Sequence, residues 1–277
     1  MERIENQNKW LKKLSQFLPI VLLFGAQNAL AAKEKRAGAD EIGEGSGVEA
    51  NKEQDRSIVR GMKMVPGGSK GERPNLDEMI GDWAPDGHVY AMKIAAKPGG
   101  KASGTMDLTP LQQLPRLGKL ELAAVAIPDL KAVAGLKLKE LKLNGLAKVK
   151  SLSELTQVNT LEKLRVENMP EAQVDSLRGA ASVQELELVD DGVTNIGFVT
   201  SMPELTKLDL SGNKGLTDIR DVAQLKNLRF LSLVGTGVKD LSALAQLEGL
   251  KILRVSRGVN TKVVEALKDK GLRIEVH

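Results

Sequence analysis

The chain has 277 residues, 42% of them hydrophobic and 27% charged, enough for one or two domains with an ordinary core. It contains no cysteine, which excludes disulfides, thiolate zinc sites, cysteine nucleophiles and lipid-modified cysteine anchors. Two histidines (His88 and His277) and seven aromatic residues (two Trp, one Tyr and four Phe) leave imidazole catalysis and base stacking almost no material.

The net charge is +4, and half of it sits at the start of the chain: Arg3, Lys9, Lys12 and Lys13 against Glu2 and Glu5. The remaining 36 basic and 34 acidic residues nearly cancel, so no basic face for nucleic acid is expected. The basic start leads into the apolar run Phe17-Leu18-Pro19-Ile20-Val21-Leu22-Leu23-Phe24 and ends at Ala29-Leu30-Ala31. This is the pattern of a secretory signal peptide over residues 1–31. A membrane span needs about 20 apolar residues, more than this run supplies. The sequence predicts export to the periplasm or the exterior, with no membrane insertion after cleavage.

From Ala32 to Met106 there is a single leucine, Leu76. A segment so poor in apolar groups is expected to stay unfolded, because burial cannot offset its chain entropy, and residues 32–74 read as a disordered spacer. The clusters Gly43-Glu44-Gly45-Ser46-Gly47 and Gly67-Gly68-Ser69-Lys70 resemble phosphate loops only superficially, with no apolar strand before them and no helix expected after them. Over 75–106, Trp83, Val89, Tyr90, Met92 and Ile94 restore large apolar groups and suggest an N-terminal cap. Asp82, Asp86 and His88 lie close together there, but one histidine in a Pro/Gly turn reads as a polar loop residue, and no metal or cofactor is expected.

Beyond residue 106 leucine becomes abundant, 34 in 171 residues. A Leu-x-Leu/Val motif recurs at Leu120/Leu122, Leu141/Leu143, Leu164/Val166, Leu186/Leu188, Leu208/Leu210, Leu231/Leu233 and Leu253/Val255, at intervals of 21, 23, 22, 22, 23 and 22 residues. A period near 22 with the pattern L-x-x-L-x-L marks units that each give one short strand and bury their leucines only by stacking. The expected fold is an α/β solenoid over 107–261, a leucine-rich repeat with a curved parallel sheet of about eight short strands. The stretch Leu205-Thr-Lys-Leu208-Asp-Leu210-Ser-Gly-Asn213 and the pairs Asp218-Ile219 and Asp240-Leu241 resemble the 22-residue repeat class of bacterial internalins. That resemblance covers 107–277 and implies fold more than function. The asparagine it implies after each strand stands at Asn213, whereas Val125, Leu146, Met169, Asp191, Thr236 and Gly258 hold the same place elsewhere. Residues 262–277 read as a C-terminal cap: Asn260 or Thr261 starts a helix running to Lys270, Gly271 ends it, and Leu272-Arg-Ile274-Glu-Val276 forms a last strand that shields the sheet edge.

Alternation with period two places the leucines inward and the residues between them on the concave face. The row before the motif runs Lys119, Glu140, Lys163, Glu185, Lys207, then Phe230 and Ile252. Its first five members alternate in sign and are expected to neutralise one another, each exposed pair contributing under about 1 kcal/mol. Phe230 and Ile252 break the alternation, with Val234 beside them and Lys207, Asp209 and Arg254 at the border. An apolar centre with a charged rim suits a protein-binding hot spot. No G-x-S-x-G, H-E-x-x-H or Walker sequence is present; carboxylates are plentiful, and Glu187 with Asp209 on adjacent strands offers a possible acid/base pair for a hydrolase. The expectation is a monomeric, non-enzymatic protein that binds another protein through its concave sheet. A cell-envelope glycan-binding module is the alternative, and a carboxylate-dependent hydrolase a more remote one.

Overall fold

The computed structural model describes residues 45–62, 64–66, 79–96, 104–269 and 271–277. The expected signal peptide at 1–31 and residues 32–44, 67–78 and 97–103 lie outside them.

A ten-stranded sheet carries the structure. Its body is β5 (Lys119–Ala123), β6 (Glu140–Asn144), β7 (Lys163–Glu167), β8 (Glu185–Val189), β9 (Lys207–Asp209), β10 (Phe230–Leu233), β11 (Ile252–Val255) and β12 (Arg273–Val276). These run parallel, each paired with the next in sequence, and the register stacks leucine on leucine: Leu120 on Leu141, Leu141 on Leu164, and so on to Leu253 on Ile274. The sheet holds ten strands, not about eight, because the 75–106 segment adds a hairpin: β3 (Val89–Ala95) pairs parallel with β5, and β2 (Ile80–Trp83) pairs antiparallel with β3. Val89, Met92 and Ile94 feed this hairpin into the same core. A separate two-stranded ribbon joins β1 (Met64–Pro66) to β4 (Gly104–Met106).

Twenty-two residues are too few for a strand, two turns and a long helix, so the convex side returns through short 3₁₀ segments, such as Ser153–Gln157, Arg220–Gln224 and Ser242–Gln246. The first two bury Leu155 and Val222, and the third Ala243 and Leu244. The polar residue before each segment fixes its entry by accepting the backbone N–H two residues on, Asp218 from Arg220 at 2.9 Å and Asp240 from Ser242 at 2.8 Å, and likewise Asp107, Asp129, Ser151, Asn195 and Asn260. This is the physical content of the Asp-Ile and Asp-Leu pairs in the sequence. On the strand side, the residue two beyond the motif takes a left-handed conformation in six successive units: Ala124, Gly145, Asn168, Asp190, Gly212 and Gly235. The chain there turns sharply out of the sheet, a bend that glycine makes without strain.

The spacer expectation is corrected at α1 (Gly45–Arg60), a 16-residue helix that begins inside the first glycine cluster, where no helix was expected. Val59, with Met62 just beyond the helix end, enters the core, and Asp55 is fully buried, accepting the Val89 N–H at 2.7 Å and meeting His88 Nδ1 at 3.2 Å. Asn51 donates to the Asp86 carbonyl oxygen, and the Arg56 guanidinium lies 5.5 Å from the Trp83 ring. The low average hydrophobicity of this stretch hides a helical face at Val48, Asp55, Val59 and Met62. A helix that docks on an existing hairpin needs only that face, not a core of its own. His88 and Asp86 are thereby partnered within the cap, Asp86 also bonding Arg116 at 2.8 Å.

At the other end the expected helix is a 3₁₀ segment, Lys262–Leu267, entered through Asn260, with Gly271 at positive φ before β12. Strand β12 does not shield the edge of the sheet. It is the terminal strand itself, and Val276 on it is 57% exposed.

Candidate functional site

The concave face is built by the residues between and beside the inward leucines. On its N-terminal side the charges satisfy one another, though along different partners than a straight ladder. Lys119 reaches Glu140 at 3.2 Å and Lys163 reaches Glu185 at 2.7 Å, as adjacent-strand pairing dictates. Lys207 instead takes Glu187 at 2.5 Å, and Arg165 grips both Glu167 and, at 2.5 Å, Glu187. Glu187 is thus the hub of the face. Burial pushes its carboxyl up, but the hydrogen bonds and charges of Lys207 and Arg165 outweigh burial and hold it below the usual carboxylate range.

That balance bears on the hydrolase alternative. Glu187 and Asp209 are register neighbours, but Glu187 is held ionised by two cations. Asp209 bonds Ser211 through its backbone N–H at 2.9 Å and its hydroxyl at 2.5 Å. A general acid needs a carboxyl kept protonated near neutral pH, which the lowered Glu187 is not. A depression of about 220 Å³ on β6–β8 is walled by Lys142, Lys163, Arg165, Glu185 and Glu187 over Leu141 and Leu164. Its walls are the same interlocked ion pairs.

On the C-terminal side the texture changes. Lys207, Phe230 and Ile252 are direct register neighbours on β9, β10 and β11, and all three are half-buried. The Phe230 ring lies between two cations, Lys207 Nζ at 5.6 Å and the Arg254 guanidinium at 5.1 Å from its centroid. Each cation holds a carboxylate on its far side, Glu187 for Lys207 and Glu275 at 2.6 Å for Arg254. Val234 directly follows β10 and is half-buried. Ser232, in the same outward row, is buried, its hydroxyl 2.8 Å from that of Ser211. Lys207, Asp209, Phe230, Ile252 and Arg254 therefore lie on three consecutive strands, with Val234 just past the end of the middle one. Sequence reasoning did not foresee the two cations seated on that ring, nor Glu275, which the C-terminal strand places against Arg254. The register Arg254–Glu275 is the signal that finds it, since Leu253 aligns with Ile274.

Below this face the turns carry a ladder of hydrogen bonds that links successive units. Asn213 Oδ1 accepts the N–H groups of Asp191 and Val193 at 3.2 and 3.0 Å, and its Nδ2 donates to the carbonyl oxygens of Leu188 and Leu210 at 2.9 and 2.8 Å. Asp191 in turn accepts from the Met169 N–H, and the Met169 sulfur accepts from the Leu146 N–H. Substituting the asparagine elsewhere therefore does not break the series. Carboxylate and thioether accept in its place, with weaker satisfaction of the remaining groups.

An internalin from Listeria monocytogenes superposes with a TM-score of 0.51 at 18% identity, covering 68% of this chain and 56% of that one. The fold is a leucine-rich repeat solenoid of the internalin type. A leucine-rich repeat protein of Leptospira interrogans gives the same TM-score and identity over 79% of this chain and 56% of its own. In sequence, the chain is 28% identical over 100 residues to acidic leucine-rich nuclear phosphoprotein 32 family member A of Drosophila pseudoobscura, and 29% identical to that of Drosophila melanogaster. It spans about two-fifths of the length of these curated relatives, 38% in each case. No family model matches the chain. Leucine-rich repeat solenoids commonly serve as protein-binding scaffolds, their stacked strands forming an extended concave surface. Among the described residues, no helix is long and apolar enough to cross a membrane.

Proposed function

We propose that the protein is exported, acts as a monomer without enzymatic activity, and recognises another protein through the C-terminal half of its concave sheet. The observation that carries this reading is the Phe230 cluster. From β5 to β9 the outward charges neutralise one another, whereas on β10 and β11 the row that holds them turns to Phe230 and Ile252, with Val234 beside them and Lys207, Asp209 and Arg254 at the border. A half-buried aromatic held rigid by flanking cations loses little entropy on binding, which is what an interface anchor requires. The short terminal strand β12, with Arg273 and Glu275 on it, is a poor template for edge pairing and supports a monomer. Export rests on the basic start, the apolar run and the Ala29-Leu30-Ala31 end.

The rival reading, an envelope glycan in the depression on β6–β8, has less support. Its polar walls are tied to one another, and the outward rows of β5 to β12 hold no tyrosine or tryptophan to stack on a sugar ring, the exposed Tyr90 lying on β3. The two readings separate by photo-crosslinking in intact cells. A photoreactive residue at Val234 should give a discrete protein adduct, with little at Lys119, on a mature chain whose N-terminus by mass spectrometry lies near Ala32. Adducts on polysaccharide, or an intact Met1 on a cytoplasmic chain, contradict this function.

A further inference from the structure

Asp191 occupies the turn position that Asn213 holds one unit later, the two units reading Leu186-x-Leu188-x-x-Asp191 and Leu208-x-Leu210-x-x-Asn213. In both, one oxygen accepts an N–H from the preceding unit: Met169 to Asp191 Oδ1 at 2.7 Å, and Asp191 to Asn213 Oδ1 at 3.2 Å. The second atom differs. Asn213 Nδ2 donates to the carbonyl oxygens of Leu188 and Leu210. In Asp191 an oxygen stands in that place, and Oδ2 is buried without a hydrogen-bond partner in a residue only 3% exposed. By the equivalence of the units, Oδ2 faces the carbonyl oxygens of Val166 and Leu188. An ionised carboxylate there sets lone pairs against lone pairs away from water, whereas a carboxylic acid O–H makes the bond that the amide makes one unit on.

We propose that Asp191 is a proton-held latch between the units of β7 and β8, its Oδ2–H donating to the Val166 carbonyl oxygen when protonated and releasing the turn at 189–193 when ionised. The surroundings favour the proton. Burial, helped by the charges of Glu167 on β7 and Asp190 in the same turn and opposed by the N–H groups of Met169 and Val189, raises the carboxyl to about 6. Asn213 and Met169, its ladder partners on either side, carry no charge. The latch reaches the concave face because Val189 stands in its outer row and Asp190 sits at positive φ in the same turn. Its side chain also fills the space beside Gly212, where an added Cβ would fall 2.1 Å from Asp190 Oδ1.

The pH dependence has a definite sign. Below about pH 4 the group is protonated in both folded and unfolded chains and has no effect. Between about pH 4 and 6 the unfolded chain releases its proton while the folded one keeps it, so the folded state loses ground. Above about 6 the loss is complete and constant. The test is urea unfolding of the full chain from about pH 4 to 8, wild type beside Asp191→Asn, with the Asp191 carboxyl carbon followed by NMR in the native protein. Relative to Asp191→Asn, the wild-type folded-to-unfolded ratio should fall about ten-fold per pH unit between about 4 and 6 and then level off. The carbon should titrate near 6, and the Met169 amide should exchange faster above that pH once intrinsic exchange is subtracted. A wild-type to variant ratio that stays constant with pH, or a carbon that titrates near 4, overturns the latch. The carbon titration uses wild type alone, so a variant that folds poorly leaves the test intact.

Discussion

Replacing Asn213 with alanine should destabilise the protein by about 3 to 5 kcal/mol, although the side chain touches neither the concave surface nor the leucine stack's centre. Asn213 is wholly buried, and its one amide group serves four backbone groups drawn from two adjacent units. Each net hydrogen bond contributes about 1 kcal/mol, and a buried backbone group left without a partner costs about 1 to 3 kcal/mol. No water is expected to replace the amide without widening the turn, because Asn213 is wholly buried and the backbone groups it bonds include those of the buried Leu188, Leu210 and Val193. Denaturant melts give the answer directly. A loss below about 1 kcal/mol would mean that the turn does not depend on this ladder.

Two neighbours on one strand should behave oppositely. Leu208 is fully buried between Leu186 and Leu231 in the register of β8, β9 and β10. Its truncation to alanine removes transfer energy and leaves a cavity, at a cost of about 2 to 5 kcal/mol. Asp209, one residue on, faces the concave surface and bonds its near neighbour Ser211, so Asp209→Ala should change stability by about 0.5 kcal/mol. A one-residue slip in register would exchange the two results, and equal losses in urea melts would contradict the assigned faces.

The solenoid was legible because its information is periodic. Seven Leu-x-Leu/Val motifs at a spacing near 22 fix which residues enter the core, and the outward rows follow by alternation. Helix α1 was not legible from composition: Val48, Asp55, Val59 and Met62 make one face only if a carboxylate counts as an inward residue, and Asp55 is inward because Val89 N–H and His88 meet it there. The ten-strand count was missed for a related reason. The hairpin at 80–95 carries valine, methionine and isoleucine in place of leucine, so it lies outside the repeat while sharing its register. The candidate site was half legible. Alternation placed Phe230, Ile252 and Lys207 side by side, but which carboxylate each cation takes depends on side-chain reach, and Lys207 crosses to Glu187 where a straight row would give Glu185.

The measurement that bears most directly on the central claim is a binding titration of the isolated partner against wild type, Phe230→Ala and Lys119→Ala. Truncating a central aromatic anchor should weaken binding by about 1 to 2 kcal/mol, roughly a ten-fold rise in Kd, with folding stability little altered because Phe230 is only half-buried. Lys119, at the far end of the charged face, should change affinity much less. Unchanged affinity in Phe230→Ala, or a loss confined to Arg165 and Glu187 substitutions, would place recognition on the polar half of the sheet and contradict a hot spot at Phe230.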